Sequence, residues 1–433
     1  MRSRIAGRRA LTVGGIYTSA ILGFLGQVLA ARWLGVEHYG LLAIVFSVTG
    51  FIQLLFDLTV EEAVVKYGFR YIAAEDWGKL RRLFRRALEF KLLGSMIASL
   101  GILAFAPFAH MIYGHGGLLV PLLISALIPI AQAPEGLAGN ALLLRGRYDI
   151  RSFFLVVSMA TRFTALVVGS RLGVTETVIF LVLAQVLTTA LIGATGAAAF
   201  RRFPQASHAS LGTDRAEIIR FMRQSAIAST VTTAQGFLAP LTLGVVANPT
   251  QVGLFRVSLA PQQALSALSS PVRLILLTEQ TRDWERGDFR TVFRGVRRFT
   301  LVTSALMVVA LPPLLVYMPQ LVQFVYGKQY AGAGNASRFI LVAAALSFVT
   351  GWSKSLPVSI GRPGLRALTH GVQALVLLPL VLVLGIRWHA AGATAAIAIS
   401  TAVFVGMWAV LIMRIYRQSQ GSGALATPGE EPA

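Results

Sequence analysis

About twelve runs of some twenty apolar residues, separated by short polar joints, make up most of this chain, and that is the length a bilayer-spanning helix requires. The runs fall at 11–33, 40–60, 88–111, 118–143, 153–171, 177–199, 218–241, 252–274, 299–319, 337–359, 367–386 and 390–412. Only 13% of the residues are charged and 55% are hydrophobic, whereas a soluble domain carries about 25% charged residues. The chain reads as an all-α polytopic membrane protein.

The formal net charge of +21 raises the question of a nucleic-acid partner, and the placement of the charges answers it. With the N-terminus inside, 32 of the 39 Lys and Arg fall in the cytoplasmic segments. The outer joints hold only Arg32, Arg171, Lys328 and Arg387, while Arg162, Arg256 and Arg338 lie within spans. This asymmetry is the positive-inside pattern, which puts both termini in the cytoplasm and needs no nucleic acid. The absence of cysteine excludes disulfides, zinc ribbons and thiol chemistry. The six histidines have no metal-binding spacing, so neither metal nor cofactor is expected. MRSRIAGRRA resembles the basic end of a signal peptide, but the apolar run from Leu11 to Leu34 is too long and another span follows, so it is expected to remain as the first helix. Residues 416–433 are expected to form a disordered cytoplasmic tail.

The chain also repeats itself. DWGKLRRLFRRALEF from Asp76 returns as DWERGDFRTVFRGVRRF from Asp283, with Leu80, Leu83, Phe84 and Ala87 matched 209 positions later by Phe289, Val292, Phe293 and Val296. Spacing of i, i+3, i+4, i+7 is one helical face. IYG at Ile112 recurs as VYG at Val325, and GRYDIR at Gly146 as GRPGLR at Gly361. Six spans per half give two parallel repeats, 1–200 and 215–415, joined by a cytoplasmic linker at 201–214. The basic repeats carry an apolar face suited to the acyl boundary and arginines suited to anionic headgroups. More simply, they are positive-inside anchors leading into spans 3 and 9.

ILGFLGQVLAARWLGVEHYGLLAI from Ile21, LFDLTVEEAVVKYGFRYIAAEDWGKLRRLFRRAL from Leu55, VYGKQYAGAGNASRFI from Val325 and the segment from Gly361 resemble the lipid-linked oligosaccharide flippases. These form the polysaccharide-biosynthesis branch of the multidrug/oligosaccharidyl-lipid/polysaccharide exporter superfamily. The resemblance implies two six-helix lobes in a V, a central cavity, and alternating access. It also implies a cargo, a polyprenyl-pyrophosphate-linked glycan moved from the inner to the outer leaflet of a bacterial inner membrane, with membrane lipids, glycosyltransferases and a polymerase as partners. Arg32 matches the family's arginine near the outer end of helix 1. Gly26 stands where the peptidoglycan-precursor flippases have a basic residue, which disfavours that subgroup.

A flippase makes no covalent bond, so its chemistry is solvation of a diphosphate and a sugar within the membrane. Arginine suits this because its charge persists and its fork matches phosphate oxygens. Arg162 lies about ten residues from either end of span 5, roughly 15 Å deep, and must face a cavity or a partner. Glu135 on span 4 is brought to nearly the same depth by the hairpin, so an ion pair, a phosphate site, or both at once are open. Arg256 sits one turn inside the outer end of span 8, with Pro261 expected to break the helix beyond it, and Gln262 and Gln263 following as donors for sugar hydroxyls. Snorkelling is the alternative for Arg256, and helix–helix hydrogen bonding for the glutamines. Gln235 in mid-span 7 is a further glycan candidate or a packing contact. Asp57, Glu61, Glu62 and Lys354 are candidates for an inner gate or for ion coupling, or ordinary paired interface residues.

Three other classes compete. A drug/cation antiporter of the same superfamily has Asp57 and Glu135 available as cation ligands, but a deep arginine favours an anionic cargo. A membrane-embedded polymerase or ligase needs a large outer loop with acid and base groups, and the longest outer joint, 319–334, has no carboxylate. A major-facilitator transporter carries a GxxxDRxGRR-like loop that KYGFRYIAAEDWGKLRR does not match.

Overall fold

The twelve apolar runs are mostly helical in the computed structural model, which describes residues 2–423 except 58, 208, 287, 361 and 363; no strand occurs among the described residues. The order is α1 (Arg2–Phe56), α2 (Val60–Ala73), α3 (Trp77–Tyr113), α4 (Leu119–Ser125), α5 (Leu127–Gln132), α6 (Glu135–Leu144), α7 (Tyr148–Gly169) and α8 (Val174–Arg201). Then come α9 (Asp214–Val246), α10 (Pro249–Ser258), α11 (Ala260–Glu285), α12 (Phe289–Tyr326), α13 (Ala333–Val349), α14 (Leu356–Ser359) and α15 (Gly364–Gly423). α1 and α15 each contain two spans, turned at Gly35 (φ 77°) and His389 (φ 51°). α15 carries the chain in helical form through Gly423, past the expected start of the tail at 416; residues 424–433 lie outside the described residues, as do Gly361 and Pro363 of the second GRPGLR echo.

Seven described helical segments are individually long and apolar enough to cross a membrane, and the protein is a multi-pass membrane protein. α9 and α11 are not among the seven, because QSAIASTVTTAQG and APQQALSALSS fill them with Ser, Thr and Gln. Span 4 departs most from the simple reading. It is not one helix from 118 to 143 but three, α4 to α6, with Pro129 inside α5 and Pro134 at the N-cap of α6. Proline lacks the donor and clashes with the preceding turn, so the run breaks. The break in span 8 falls where expected, with Pro261 in the first turn of α11.

The chain divides into two compact units: residues 1–256 with 325–329, and 257–324 with 330–433. In the first, α1 and α10 cross at two glycines. A Cβ on Gly40 would strike the Pro249 carbonyl, and one on Gly253 the Val36 carbonyl.

The repeated stripe explains the core of each unit. Leu80, Leu83, Phe84 and Ala87 are buried with Tyr67, Tyr71, Leu137, Leu144 and Phe203. Val292, Phe293 and Val296 are buried with Trp352, Leu356, Phe404 and Trp408 in the second unit. The apolar faces therefore meet protein rather than the acyl boundary, which corrects the interfacial-helix reading. The same end of the first unit carries a polar latch. Arg70 forks onto Glu217 at 3.0 and 3.1 Å, while Tyr71 (3.1 Å) and Lys79 (3.2 Å) both donate to Asp214. The bond from Lys79 holds the Asp214 carboxyl below its ordinary pKa, and that from Arg70 does the same for Glu217.

Candidate functional site

The site is built where α1 stops. The helix ends at Phe56, the Asp57 carboxylate accepts from the Thr59 N–H at 3.2 Å, and Thr59 turns left-handed (φ 48°) before α2 begins. Glu61 and Glu62 occupy the first turn of α2, where the helix dipole favours acids. Lys91 on α3 reaches into this turn, its Nζ 3.0 Å from Asp57 and 2.7 Å from Glu61. Its side chain is 12% exposed, the two carboxylates about a third. Two glycines make the arrangement possible. A Cβ on Gly94, one turn beyond Lys91, would lie 2.6 Å from the Phe56 carbonyl, and one on Gly136 would collide with the Glu61 carboxylate.

This triad forms one wall of a cavity of about 570 Å³ within the first unit. The broken span 4 supplies Gln132 and Glu135, as expected of irregular backbone at membrane depth, which survives only where it lines a cavity or is buried in protein. Gln53 Nε2 donates to Gln132 at 3.2 Å, and Gln185 Nε2 to Glu135 at 2.6 Å. α7 adds Tyr148, Arg151, Ser152 and Leu155. Two cations and three carboxylates line the space, for a formal balance of one negative charge. Carboxylates and amides accept from hydroxyls, while Arg151, Gln53 and Tyr148 donate.

Arg162 stands seven residues beyond Leu155 on α7, so it extends the cavity-lining stripe by two turns. The adjoining face of α7 packs against α1, with Ser152 over Gly15 and with Phe163 and Leu166 over Gly26. Arg162 is exposed, within electrostatic reach of Glu135 but outside ion-pair distance; Glu135 bonds to Gln185 instead. Arg256 has a definite partner, the hydroxyl of buried Tyr39. Glu62 accepts from Ser225 on α9. Gln235 on α9 is half-buried. In the second unit, Gln262 and Lys354 line a small space with Ser266, Ser269 and Ser347, and Gln263 is not part of its lining. The structure thus brings together Asp57, Glu61 and Glu135, and places Arg256, Gln235, Glu62, Gln262, Gln263 and Lys354 elsewhere.

Lys91, Arg151, Gln53, Gln132 and Tyr148 escaped sequence reasoning. Lys91 and Arg151 count among the 32 cytoplasmic Lys and Arg, although Lys91 stands inside the run 88–111. The amides Gln53 and Gln132 lie within spans 2 and 4. A polar residue inside an apolar run was the available signal.

A family described as polysaccharide biosynthesis protein matches residues 9–276, more than half of the chain and the whole of this cavity. The chain belongs to this family. No curated protein matches the sequence significantly. Among solved structures, the fold is similar to that of an inward-facing multidrug resistance MATE-family transporter of the MOP superfamily (TM-score 0.75, 12% identity, 95% of this chain and 96% of that one). It is similar also to the lipid II flippase MurJ in an inward closed conformation (0.63, 12%, 92% and 86%). A third likeness is a MOP superfamily transporter from Pyrococcus furiosus, described as having a binding pocket of reverse polarity (0.60, 13%, 94% and 96%). The fold of this family member is therefore that of the MOP transporters.

Proposed function

We propose that this protein is a flippase that carries a polyprenyl-diphosphate-linked oligosaccharide from the inner to the outer leaflet of a bacterial inner membrane by alternating access. In this reading both termini are cytoplasmic and the chain is not an enzyme: it replaces the water around a polar headgroup and breaks no bond. The observation that carries the reading is the cavity in the matched region, where two cations, three carboxylates and the amides Gln53 and Gln132 gather in an otherwise apolar bundle. Such a lining suits sugar hydroxyls, which need donors and acceptors but no net charge. Arg162, on the same stripe of α7, is the group assigned to the diphosphate. Arg256, fastened to Tyr39, positions α10 rather than cargo. Glycosyltransferases that build the lipid-linked unit and a polymerase that consumes it are the partners this role requires.

The surplus carboxylate gives one specific point in favour of a second reading, cation-coupled drug export, with Asp57, Glu61 and Glu135 as ligands. Replacing Arg162 by Gln separates the two. A flippase loses glycan export by about tenfold or more, as expected when one charge-assisted contact of roughly 1.5–3 kcal/mol is removed, while protein abundance is unchanged. Normal export at normal abundance removes Arg162 from the mechanism, and efflux of cationic dyes with no effect on glycan favours the antiporter.

A further inference from the structure

The two copies of the basic repeat differ in one respect that their shared core does not explain. On α3, Glu89 holds both arginines of its face, Arg85 at 3.1 Å and Arg86 at 2.8 Å. The residue 209 positions later on α12 is Arg298, and the counterpart of Arg86 is Gly295. The acid is thus replaced by a base. Arg290, Arg294, Arg297 and Arg298 are all exposed, and among the described residues none makes a side-chain hydrogen bond or ion pair. Asp288, which caps α12 through the Thr291 N–H at 3.0 Å, faces Arg290 and Arg294 electrostatically. From Phe289 to Gly429 the chain has no carboxylate side chain.

The stripe also has a depth. Val292, Phe293 and Val296 bury the opposite face of α12 in the second unit. One turn past Arg297 and Arg298, the exposed face changes to hydrocarbon: Leu301 is 58%, Val302 61%, Val308 73% and Val309 75% exposed. Residues 294, 298, 301, 302, 305, 308 and 309 follow one another on one helical face. In a membrane protein, exposed hydrocarbon of that kind meets acyl chains, so the guanidinium groups just before it lie at the level of lipid phosphates. Gly295 leaves open space among them, since nothing stands within 4 Å of where its Cβ would be.

We propose that the first turns of α12 form a binding site for the phosphate headgroup of an anionic phospholipid, centred on Arg294 and Arg298 about the gap at Gly295, with Arg290 and Arg297 at its rim. Guanidinium forks match phosphate oxygens, and the site's excess positive charge selects anionic over zwitterionic lipids. On the matching face of α3, Glu89 engages both Arg85 and Arg86 in ion pairs, so neither guanidinium is left for a lipid phosphate. The inference stands apart from the flippase reading.

The test uses the full chain in bilayers containing photoactivatable phosphatidylglycerol or its phosphatidylcholine counterpart, with crosslinks mapped by peptide. Phosphatidylglycerol is expected to label the segment 289–309 at least fivefold more than phosphatidylcholine. Arg294→Gln and Arg298→Gln should each lower that preference about fivefold, Arg→Lys at the same positions should retain most of it, and labelling of 77–97 should show little preference throughout. Equal labelling by the two probes, or a preference that survives the double Gln variant with thermal stability unchanged, overturns the site. Displacement of the phosphatidylglycerol probe by substoichiometric polyprenyl diphosphate overturns the phospholipid assignment and makes the patch a docking point for isoprenoid diphosphates.

Discussion

Replacing Lys91 by Met should reveal how strongly the cavity wall depends on one buried cation. The substitution keeps most of the side-chain volume and removes the charge that stands 3.0 Å from Asp57 and 2.7 Å from Glu61. At an effective dielectric of about 20, each contact at these separations is worth about 5–6 kcal/mol of attraction. Burying the lysine takes back several kcal/mol, and the carboxylates, about a third exposed, are further screened by water. What remains is an expected loss of about 2–3 kcal/mol, most of it repulsion between two carboxylates deprived of their counter-charge. In an Asp57→Asn, Glu61→Gln background the same Lys91→Met change should lose less than about 1 kcal/mol, since no stranded charges are left. Denaturant unfolding of the purified protein in mixed micelles, followed by tryptophan fluorescence, gives the cycle. Equal losses in both backgrounds, within about 0.5 kcal/mol, would refute the triad as an energetic unit.

The latch predicts an acid dependence. The Asp214 and Glu217 carboxyls are held below their ordinary range by Lys79 and Arg70, so their contribution is present above the unfolded-state carboxylate pKa of about 4 and is lost as pH falls through the lower folded values. Amide protection at the start of α9, taken relative to the intrinsic exchange rate at each pH, should therefore fall as pH drops from about 5 to 3, and Asp214→Asn with Glu217→Gln should flatten that fall; an unchanged profile in the double variant would show that the latch does not hold α9.

Much of the architecture was readable because hydrophobic runs and charge placement report on spans directly. The stripe at Leu80, Leu83, Phe84 and Ala87 and its echo at Phe289 to Val296 marked equivalent core positions in both units, although the partner of the apolar face, protein rather than lipid, needed the neighbours Tyr67 and Trp352 to be in place. For Glu135 the sequence leaves an ion pair with Arg162 and a cavity role open, and the structure puts it on the cavity wall, bonded to Gln185. Depth along a hairpin places two residues at one level without saying which way each points, and Gln185 lay closer than Arg162. Lys91 was hidden for another reason. A lysine at the end of a span looks like an anchor until the chain break after Phe56 turns two carboxylates towards it. Arg256 could equally snorkel or bind, and only the fold brings Tyr39 to it.

The central claim is that the chain moves a lipid-linked glycan across a bilayer. Reconstitution of the purified protein into liposomes carrying fluorescent polyprenyl-diphosphate oligosaccharide on one leaflet, with a membrane-impermeant quencher or lectin reporting the other, measures it directly. The account predicts protein-dependent translocation that falls about tenfold in Arg162→Gln, in line with the loss of one charge-assisted hydrogen bond. Translocation no faster than in protein-free liposomes, with the protein folded and inserted, would contradict it.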